Sequence, residues 1–480
     1  MEAGRQADTV KRLIALLAAG LALPAVALAQ DWHSLPTPKA TDAVIESNPM
    51  QGFYSWLGPD MVPVKPLSPD HYTRVSWADL EPREGVYDFS KLDNALKNLP
   101  AGNRIAFGVM AADTCCSGDR SGLYVPAYLK DGMAKGFWVK ANPGSWHLDQ
   151  AYIPDWNDPL FLTRWHALWA AIGKRYDGDP RIAWVDMRGY GNWGEGHLNG
   201  DSAYHWGQLP YDDPKVNLHG AEAGTLDSRI AIVDAIIDAM PHTQLIAMSD
   251  DKPVMLHAFH AKTAIPIGLR RDSWGAKWFE KGLAEGDLTD AERAEISDRW
   301  KVAPFIVESF GWTLAFEVGF DGLTRQVVDY HISDIGNGNF GTDDWKALSA
   351  DQQQALIRAG NHAGYRYVPV AAKYRHEADC PLRLAVSWRN DGSAPAYEPW
   401  AVRLWLKRDG GSPVELKAVG DANLPKILPG ETADSQGCYA LPDGASGELS
   451  LQMMLAAGPM WLALEGGDAK GRYDLGPIAP

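Results

Sequence analysis

The sequence predicts a (β/α)8 TIM barrel followed by a smaller, C-terminal all-β sandwich. Apolar strand patterns alternate with amphipathic helix patterns about eight times before residue 362, which is typical of such a barrel. Polar and charged side chains collect where the predicted strands end, and these barrels place their sites at that face. The competing α/β architecture, an open doubly wound sheet, would carry a Gly-rich phosphate loop after its first strand, and the sequence has none there.

The predicted barrel strands are short runs rich in apolar and β-branched residues. In chain order they lie at 48–56, 72–77, 104–110, 182–185, 243–248, 265–269, 303–307 and 326–330. Apolar residues at helical spacing predict helices at 90–99, 162–176, 226–240, within 276–300 and at 350–359. A long, polar connection at 111–156 follows the third strand, and loops of that length are usually functional.

The pattern changes near residue 365. Short alternating segments are separated there by Asn-Asp-Gly, Asp-Gly-Gly and Pro-Asp-Gly turns. These features predict an immunoglobulin-like sandwich of about 115 residues. We therefore expect a barrel domain at 30–362 and a sandwich domain at 363–480.

Residues 1–29 have the three parts of a secretory signal peptide. Basic residues precede an apolar stretch at 13–26, and Ala27-Leu28-Ala29 forms an A-x-A cleavage site. The apolar stretch is shorter than the roughly 18 residues that span a bilayer, and no later stretch reaches that length. We expect a chain that is cleaved near Ala29 and is periplasmic or secreted, with no membrane span.

The net charge and the tryptophan content of the chain indicate which kind of molecule it binds. The chain has 45 Lys and Arg against 61 Asp and Glu, which gives a formal net charge of −16. Nucleic acid and anionic membranes attract basic surfaces, so we expect neither as a partner. The chain also has 20 tryptophans, and flat indole faces suit the C–H faces of sugar rings. We expect a carbohydrate partner, while the oligomeric state stays open.

The four cysteines fit an oxidising compartment. Cys380 and Cys438 both lie in the predicted sandwich, where they could form a disulfide bond. Cys115 and Cys116 are adjacent in sequence and cannot pair with each other without a strained ring. The sequence contains neither a C-x-x-C pair nor an H-E-x-x-H motif, so we expect no metal site and no cofactor.

The stretch 181–197, RIAWVDMRGYGNWGEGH, is the strongest candidate for a functional site. Its apolar start predicts a strand that is buried on both faces, and a Gly-rich loop follows. Glycines let a backbone turn tightly and approach a ligand. The loop presents Glu195, and the seventh predicted strand ends in a second carboxylate, Glu308. Two carboxyl groups, one protonated and one ionised, are what cleavage of a glycosidic bond requires.

Three further segments carry a family resemblance. They are 77–93 (WADLEPREGVYDFSKLD), 126–129 (PAYL) and the run 158–180. With them, the barrel resembles the clan of retaining glycosidases that includes the family 42 β-galactosidases. The barrel-plus-sandwich layout and the G-x-x-G-E-G-H loop also resemble exported bacterial proteins that carry the domain of unknown function 4832.

The resemblance implies an acid/base carboxyl at the end of strand four and a nucleophile at the end of strand seven. Glu195 and Glu308 stand at those positions. The family has an Asn immediately before its acid/base Glu, whereas Gly194 precedes Glu195 here and the nearest Asn is Asn192. Asp186, within strand four, is therefore a rival for the acid/base role.

Other polar and aromatic residues beside the predicted strand ends are candidates for substrate binding, because they could donate to sugar hydroxyls or stack on sugar rings. They are Arg74, Trp77, Asn192, Trp193, His197, Asp250, Asp272, Trp274, Trp312 and His331.

The sequence thus predicts an exported glycoside hydrolase that cleaves O-glycosidic bonds of a poly- or oligosaccharide. The predicted mechanism is retaining, with Glu195 as acid/base and Glu308 as nucleophile. One alternative is a non-catalytic carbohydrate-binding protein on a TIM-barrel scaffold. Another is a glycan lyase or esterase, although a serine esterase would carry a G-x-S-x-G elbow, which the sequence lacks.

Overall fold

The computed structural model describes the following residues: 31–45, 48–56, 64, 67–113, 121–133, 135–140, 150–196, 224–309, 316–338, 341–408, 411–442, 445–455 and 458–479. The predicted signal peptide, Cys115, Cys116, His197 and Trp312 lie outside them. Within the described ranges, no helix is long and apolar enough to cross a membrane.

Eight parallel strands close into a barrel, as the sequence predicts. A short strand, β1 (His33–Leu35), precedes them and pairs with the C-terminal region. Between β4 and the next barrel strand, β5 (Gly136–Lys140) and β6 (Gln150–Pro154) form a separate hairpin. The barrel strands are hydrogen-bonded in chain order: β2 (Gly52–Trp56), β3 (Leu67–Ser76), β4 (Arg104–Met110), β7 (Ile182–Met187), β8 (Leu245–Met248), β9 (Gly268–Trp274), β10 (Phe305–Ser309) and β11 (Asp334–Gly336).

Helices surround the barrel. The longest, α4, begins with Asp158 as its N-cap and Pro159 in its first turn, both of which favour a helix start. The described helices are α1 (Trp77–Leu80), α2 (Ser90–Asn98), α3 (Ala127–Gly132), α4 (Pro159–Tyr176), α5 (Leu226–Ala239), α6 (Lys252–Phe259), α7 (Trp278–Ala284), α8 (Asp290–Asp298), α9 (Gly319–Asp329), α10 (Thr342–Ala347) and α11 (Ala350–His362).

Side chains alternate along each barrel strand between the interior and the helical layer. Every residue of β7 is buried, because one face of the strand lines the interior and the other packs under the helices. Tyr54, Tyr72, Trp184 and Ile306 belong to one apolar cluster of the barrel strands. The residues two positions further along β3, β7 and β10 are charged, so the composition of the interior changes toward the C-terminal ends of the strands.

Most of the predicted strands differ from the observed ones by up to five residues at an end, and the differences at the sixth and eighth strands bear on the site. The sixth was expected to end at residue 269, but β9 continues to Trp274 because Arg270 and Asp272 pair with charged groups of the barrel. The segment 326–330 was expected to be the eighth strand, but it lies at the end of α9. Leu323, Gln326 and Val327 share the buried face of that helix, and the eighth strand is the three-residue β11.

The C-terminal region consists of antiparallel sheets. One sheet has the order β1-β12-β13-β17; the other has β15-β14-β18-β19, with β16 paired to β14 and β20 to β18. Apolar residues of both sheets form one core, and a Cys380–Cys438 disulfide bond is present. The strands are β12 (Tyr367–Arg375), β13 (Leu382–Asn390), β14 (Trp400–Lys407), β15 (Val414–Leu416), β16 (Asn423–Leu424), β17 (Thr432–Tyr439), β18 (Gly447–Leu455), β19 (Gly458–Met460) and β20 (Tyr473–Ile478).

Candidate active site

Charged side chains from four strands meet at the C-terminal ends of the barrel strands. They come in pairs two residues apart, Tyr72 with Arg74 on β3 and Arg270 with Asp272 on β9. A spacing of two places both members of a pair on one face of a strand. Asp186 and Arg188 repeat this spacing at the end of β7, and Glu308 joins them from β10. We call these residues, together with Glu195, the charged cluster.

The hydroxyl group of Tyr72 lies at the centre of the charged cluster. It donates a hydrogen bond to Asp186 Oδ2 at 2.7 Å and accepts one from Arg188 Nε at 2.8 Å. Arg74 Nε approaches the same oxygen at 3.3 Å. Burial raises the pKa of Tyr72 to about 12 against the opposing effect of Arg188, so the hydroxyl keeps the proton that it donates.

Asp186 is fully buried and surrounded by cations. Besides Tyr72, its Oδ2 accepts hydrogen bonds from Arg188 Nε at 2.9 Å and Arg270 Nη1 at 2.7 Å. Burial would raise the pKa of Asp186, but Arg188 and Arg270 outweigh it and hold the pKa below its ordinary value. An enclosed, ionised carboxylate anchors two arginines and does not present a proton to a substrate. This environment disfavours Asp186 as the rival acid/base.

Glu195 follows a 3₁₀ turn over Asn192–Gly194 and points back toward the barrel strands. Its Oε1 accepts hydrogen bonds from Arg74 Nη2 at 2.8 Å and from Arg188 Nη1 at 2.9 Å. Trp193, two residues earlier, has a φ of 55°, a left-handed conformation that costs free energy for a residue with a side chain. The strained residue of this loop thus lies two residues before a carboxylate that accepts hydrogen bonds from two guanidinium groups.

Arg188 occupies space that glycines leave open. A Cβ atom on Gly108 would lie 2.5 Å from Arg188 Cδ, and one on Gly194 would lie 2.8 Å from Arg188 Cβ. Arg188 Nη1 also donates to the backbone oxygen of Trp193 at 2.7 Å, which ties the loop to the barrel. These glycines are therefore required by the close approach of one side chain.

The loop that carries Glu195 also contacts residues that lie outside the charged cluster. The hydroxyl of Tyr190 donates to Asp251 Oδ2 at 3.0 Å, and Arg229 Nε lies 2.7 Å from that oxygen. Trp193 Nε1 donates to Asp113 Oδ1 at 3.1 Å. The loop that carries Glu195 is thereby fastened to the loops that follow β4 and β8.

Glu308 lies across the charged cluster from Glu195. Its Oε2 accepts a hydrogen bond from Arg270 Nη2 and lies 3.8 Å from Arg74 Nη2. Arg74 Nη2 is also 2.8 Å from Glu195 Oε1. The separation of these two carboxylate oxygens is bounded by the sum of the two contacts with Arg74, which is about 6.6 Å.

Asp272 stands beside Glu308, because the two residues are direct partners in the pairing of β9 with β10. Arg270 donates to it from Nε at 2.7 Å and from Nη2 at 3.3 Å. Burial, together with the charges of Glu308 and Glu195, outweighs Arg270 and raises the pKa of Asp272 to about 7. Of the carboxyl groups in the charged cluster, this one takes up a proton near neutral pH.

Of the predicted substrate-binding residues, Arg74 and Asp272 belong to the charged cluster. Asn192 is buried in the loop that carries Glu195, and Trp193 is half-buried there. Asp250 is exposed just after β8. His197 and Trp312 lie outside the described residues.

Three of the predicted residues lie apart from the charged cluster. Trp77 is fully buried, packs edge-on against Phe161 and Trp165, and donates from Nε1 to Glu81. Trp274 is also fully buried, between Phe53 and Phe316. Trp77 begins α1 and packs against α4. Trp274 follows a shift in the pairing of β9 with β10, so it does not share the face of Asp272.

His331 lies at the opposite end of the barrel, because it follows a helix and precedes a strand. Its ring stacks on Trp300 with centroids 3.5 Å apart, and its Nδ1 contacts the backbone oxygen of Ser393 at 2.8 Å. It therefore joins the barrel to the C-terminal sheets. The sequence placed it at a strand end only because α9 was read as a strand.

Sequence reasoning missed Tyr72, Arg188 and Arg270, which organise the charged cluster. The signal for them is the repeated spacing of two between polar residues at strand ends, as in Tyr72-x-Arg74 and Asp186-x-Arg188. A polar pair at that spacing on a strand that is buried on both faces must have partners inside the barrel. The described residues contain no group of three or more His, Cys, Asp or Glu side chains that could hold a metal ion.

Comparisons with solved structures find distant likenesses. An exo-beta-1,4-mannosidase from Opitutaceae bacterium strain TAV5 is 12% identical with a TM-score of 0.33, over 62% of this chain and 54% of the mannosidase. An endogalactoceramidase is 13% identical with a TM-score of 0.35, over 84% of this chain and 100% of that protein. A family 39 glycoside hydrolase from Bacteroides cellulosilyticus WH2 is 10% identical with a TM-score of 0.34, over 84% and 83%.

This chain spans about half the length of the mannosidase. At these identities and TM-scores the likenesses carry no argument about activity, and the barrel is shown by its own strand order. A comparison with curated proteins finds no significant match.

One family model matches part of the barrel. It describes the beta-galactosidases of glycoside hydrolase family 42, and it matches residues 67–115, which run from β3 to just beyond β4. The matched segment contains Arg74 and the stretch 77–93, so the family resemblance drawn from the sequence is confirmed there. The class of enzyme that this match supports is a glycosidase.

Proposed function

We propose that this protein is a retaining glycoside hydrolase acting on a poly- or oligosaccharide. The observation that carries the proposal is the pair Glu195 and Glu308, which face one another across Arg74 with carboxylate oxygens at most about 6.6 Å apart. That bound lies above the separation of about 5–5.5 Å in retaining glycosidases and reaches that of about 6.5–9.5 Å in inverting ones, so the spacing supports a two-carboxylate glycosidase, and the retaining assignment follows from the family resemblance. The family match over β3 and β4 supports the same class of reaction.

Glu308 is suited to the role of nucleophile. It lies near the end of β10 among the side chains of the charged cluster, where its Oε2 contacts Arg270 and lies 3.8 Å from Arg74, and a nucleophile in this mechanism bonds to the anomeric carbon from such a position. The sequence assigns the acid/base role to Glu195. That role requires a protonated carboxyl in the first step, whereas Glu195 Oε1 accepts hydrogen bonds from two guanidinium groups.

The proposal is tested by incubating the wild type with a panel of neutral and acidic polysaccharides and measuring the release of reducing ends. We expect release from at least one glycan, with proton NMR showing that the new reducing end first has the anomeric configuration of the cleaved bond. Glu308→Gln should lower the rate at least about a thousandfold, as loss of a nucleophile does. Inversion of configuration, or full activity of Glu308→Gln, would contradict the mechanism.

The alternative, a non-catalytic carbohydrate-binding barrel, is favoured by one observation. Each of the four carboxyl groups in the charged cluster contacts an arginine, so the cluster also satisfies itself as a structural network. A binder of this kind would retain glycans on a column while releasing no reducing ends, and Glu195→Gln would bind as tightly as the wild type.

We further propose export with removal of residues 1–29, a barrel domain at 30–362 and an immunoglobulin-like sandwich at 363–480. The Cys380–Cys438 disulfide bond supports export, because such bonds persist in oxidising compartments. N-terminal sequencing of protein recovered from the periplasm or medium should begin at Gln30. Recovery of the full-length chain in the cytoplasm would contradict export.

A further inference from the structure

The strand that carries Asp272 is irregular at that residue. Asp272 pairs with Glu308, but the next pair along is Trp274 with Ser309, so Ser273 is the extra residue of a β-bulge. Ser273 has a φ of 77°, which is unfavourable for a residue with a side chain. Bulges of this kind occur next to active sites, where they redirect a side chain. The backbone strain of β9 thus lies at Ser273, directly beside Asp272.

Two carboxyl groups beside the bulge share one guanidinium group. Nη2 of Arg270 donates both to Asp272 and to Glu308, whose side chains project from directly paired positions on β9 and β10. Nη1 of the same arginine is engaged with Asp186. The charged cluster as a whole holds three guanidinium groups against four carboxyl groups, so one negative charge is not compensated, and close carboxyl groups then share a proton.

The proton settles on the carboxyl with the least positive charge around it. Glu195 contacts Arg74 and Arg188, and Asp186 contacts Arg188 and Arg270. Glu308 has Arg270 and, at 3.8 Å, Arg74. Within the described residues, Asp272 contacts one guanidinium group, which it shares.

Asp272 is also the carboxyl group that a ligand reaches most easily. Its side chain is 25% exposed, against 13% for Glu308, 7% for Glu195 and none for Asp186. The groups that act on its charge include Arg270, Glu308 and Glu195, and Arg271 and Tyr54 also interact electrostatically with Asp272. The raised pKa of Asp272 agrees with this arrangement.

We propose that Asp272, in place of Glu195, is the general acid/base of the hydrolase. This inference rests on the proposed glycoside hydrolase activity with Glu308 as its nucleophile. The catalytic pair then becomes Asp272 and Glu308, which are direct partners on β9 and β10. Glu195 then acts as a positioning residue, which holds Arg74 and Arg188 at the edge of the site.

The reaction proceeds in two balanced steps. The Asp272 carboxylic acid gives its proton to the glycosidic oxygen as the bond from that oxygen to the anomeric carbon breaks, and a Glu308 carboxylate oxygen bonds to that carbon. The leaving group departs as an alcohol. Asp272, now a carboxylate, takes a proton from water, whose oxygen attacks the anomeric carbon and releases Glu308.

The test compares Asp272→Asn with Glu195→Gln on two substrates: the glycan that the wild type cleaves and a 2,4-dinitrophenyl glycoside of the same sugar. The leaving group of the glycan needs a proton, so a variant without the general acid cleaves the glycan slowly. Dinitrophenolate leaves without a proton, so the same variant still forms the glycosyl-enzyme from the dinitrophenyl substrate. We expect Asp272→Asn to fall about 10²–10⁴-fold on the glycan. On the dinitrophenyl substrate, added azide should restore its turnover and yield a glycosyl azide with the configuration of the substrate.

Glu195→Gln should lose activity on both substrates, and azide should produce no glycosyl azide from it. The matched control is Asp298→Asn, an exposed carboxylate that pairs with Lys301, and it should behave as the wild type. Azide rescue of Glu195→Gln without rescue of Asp272→Asn would overturn the inference and return the acid/base role to Glu195.

A second measurement does not depend on the substrate. Carboxyl carbon NMR should show one group titrating near pH 7 in the wild type, the same group titrating at a lower pH in Glu195→Gln, where one of the charges that raise its pKa is removed, and no such group in Asp272→Asn. Absence of that titration would overturn the inference even if the hydrolase is active. A wild type that cleaves no glycan overturns the proposed function instead, and the two failures are thereby distinguished.

Discussion

Removal of the Tyr72 hydroxyl group should weaken the fold, because three charged residues depend on it. The hydroxyl donates to Asp186 at 2.7 Å and accepts from Arg188 at 2.8 Å, and Arg74 approaches it at 3.3 Å. Tyr72 is fully buried, so water does not replace the missing oxygen in Tyr72→Phe. The variant leaves polar groups of Asp186 and Arg188 without one of their partners.

A hydrogen bond to a charged group contributes about 1.5–3 kcal/mol, and two short bonds of this kind are lost. Because Asp186 and Arg188 also contact each other, the two losses are not independent and do not simply add. We expect Tyr72→Phe to lower the free energy of unfolding by about 2–4 kcal/mol. The loosened Arg74 and Arg188 should also lower kcat/KM.

Tyr54→Phe is the matched control. Tyr54 lies on the neighbouring strand, its ring contacts that of Tyr72 at 6.1 Å, and it is equally buried. Its hydroxyl, however, has no hydrogen-bond partner among the described residues. Removing an unsatisfied buried hydroxyl should leave stability unchanged or raise it slightly.

Both variants are measured by urea denaturation, followed by tryptophan fluorescence, with the wild type in parallel. A loss below about 0.5 kcal/mol for Tyr72→Phe, which is within the range of ordinary surface substitutions, would refute the reasoning. An equal loss in Tyr54→Phe would also refute it, because the effect would then belong to ring packing and not to the hydrogen bonds.

Three further predictions concern separate parts of the molecule. Gly108→Ala places a methyl group 2.5 Å from Arg188 Cδ. We therefore expect the free energy of unfolding in denaturant to fall by about 1–3 kcal/mol and kcat/KM to fall as well. Unchanged values would contradict the described packing. Cys380→Ser should lower stability by about 2–4 kcal/mol, and reductant should lower the wild type equally but leave the variant unaffected. The pKa of Asp272 is raised to about 7, so the folded state binds more protons than the unfolded state between the unfolded pKa and 7, and stability falls as pH rises through that window. Asp272→Asn should therefore raise Tm relative to the wild type more at pH 8.5 than at pH 5.5, and an equal difference at both pH values would contradict the shift.

Much of the barrel follows from the sequence, because its strands are apolar on both faces and contrast with amphipathic helices. The run 104–110 is observed as β4 with the same bounds. The eighth strand could not be found in this way, since β11 has only three residues, Asp334–Gly336, and two of them are not apolar. The last turn of the preceding helix α9 contains Val327 and Val328, and such a short β-branched run is also typical of a strand. Tertiary packing decides between helix and strand for such a run.

The candidate site is less accessible to sequence reasoning. Position made Glu195 and Glu308 candidates, because one follows β7 in a loop and the other lies in β10, and parallel strands bring their C-terminal ends to one face. The roles of Arg188 and Arg270 depend on which cation contacts which carboxylate, and that information lies in distances between strands far apart in sequence. The bulge at Ser273 is likewise a property of the pairing of β9 with β10, so it has no signature in one strand alone.

The most direct test of the account is reducing-end release from glycans by the wild type and by Glu308→Gln, measured alongside glycan binding by both. The account predicts that the wild type releases reducing ends from at least one glycan that it binds. It also predicts that Glu308→Gln binds the same glycan and releases at least about a thousandfold less. Binding by the wild type without any release, or release that does not depend on Glu308, would contradict it.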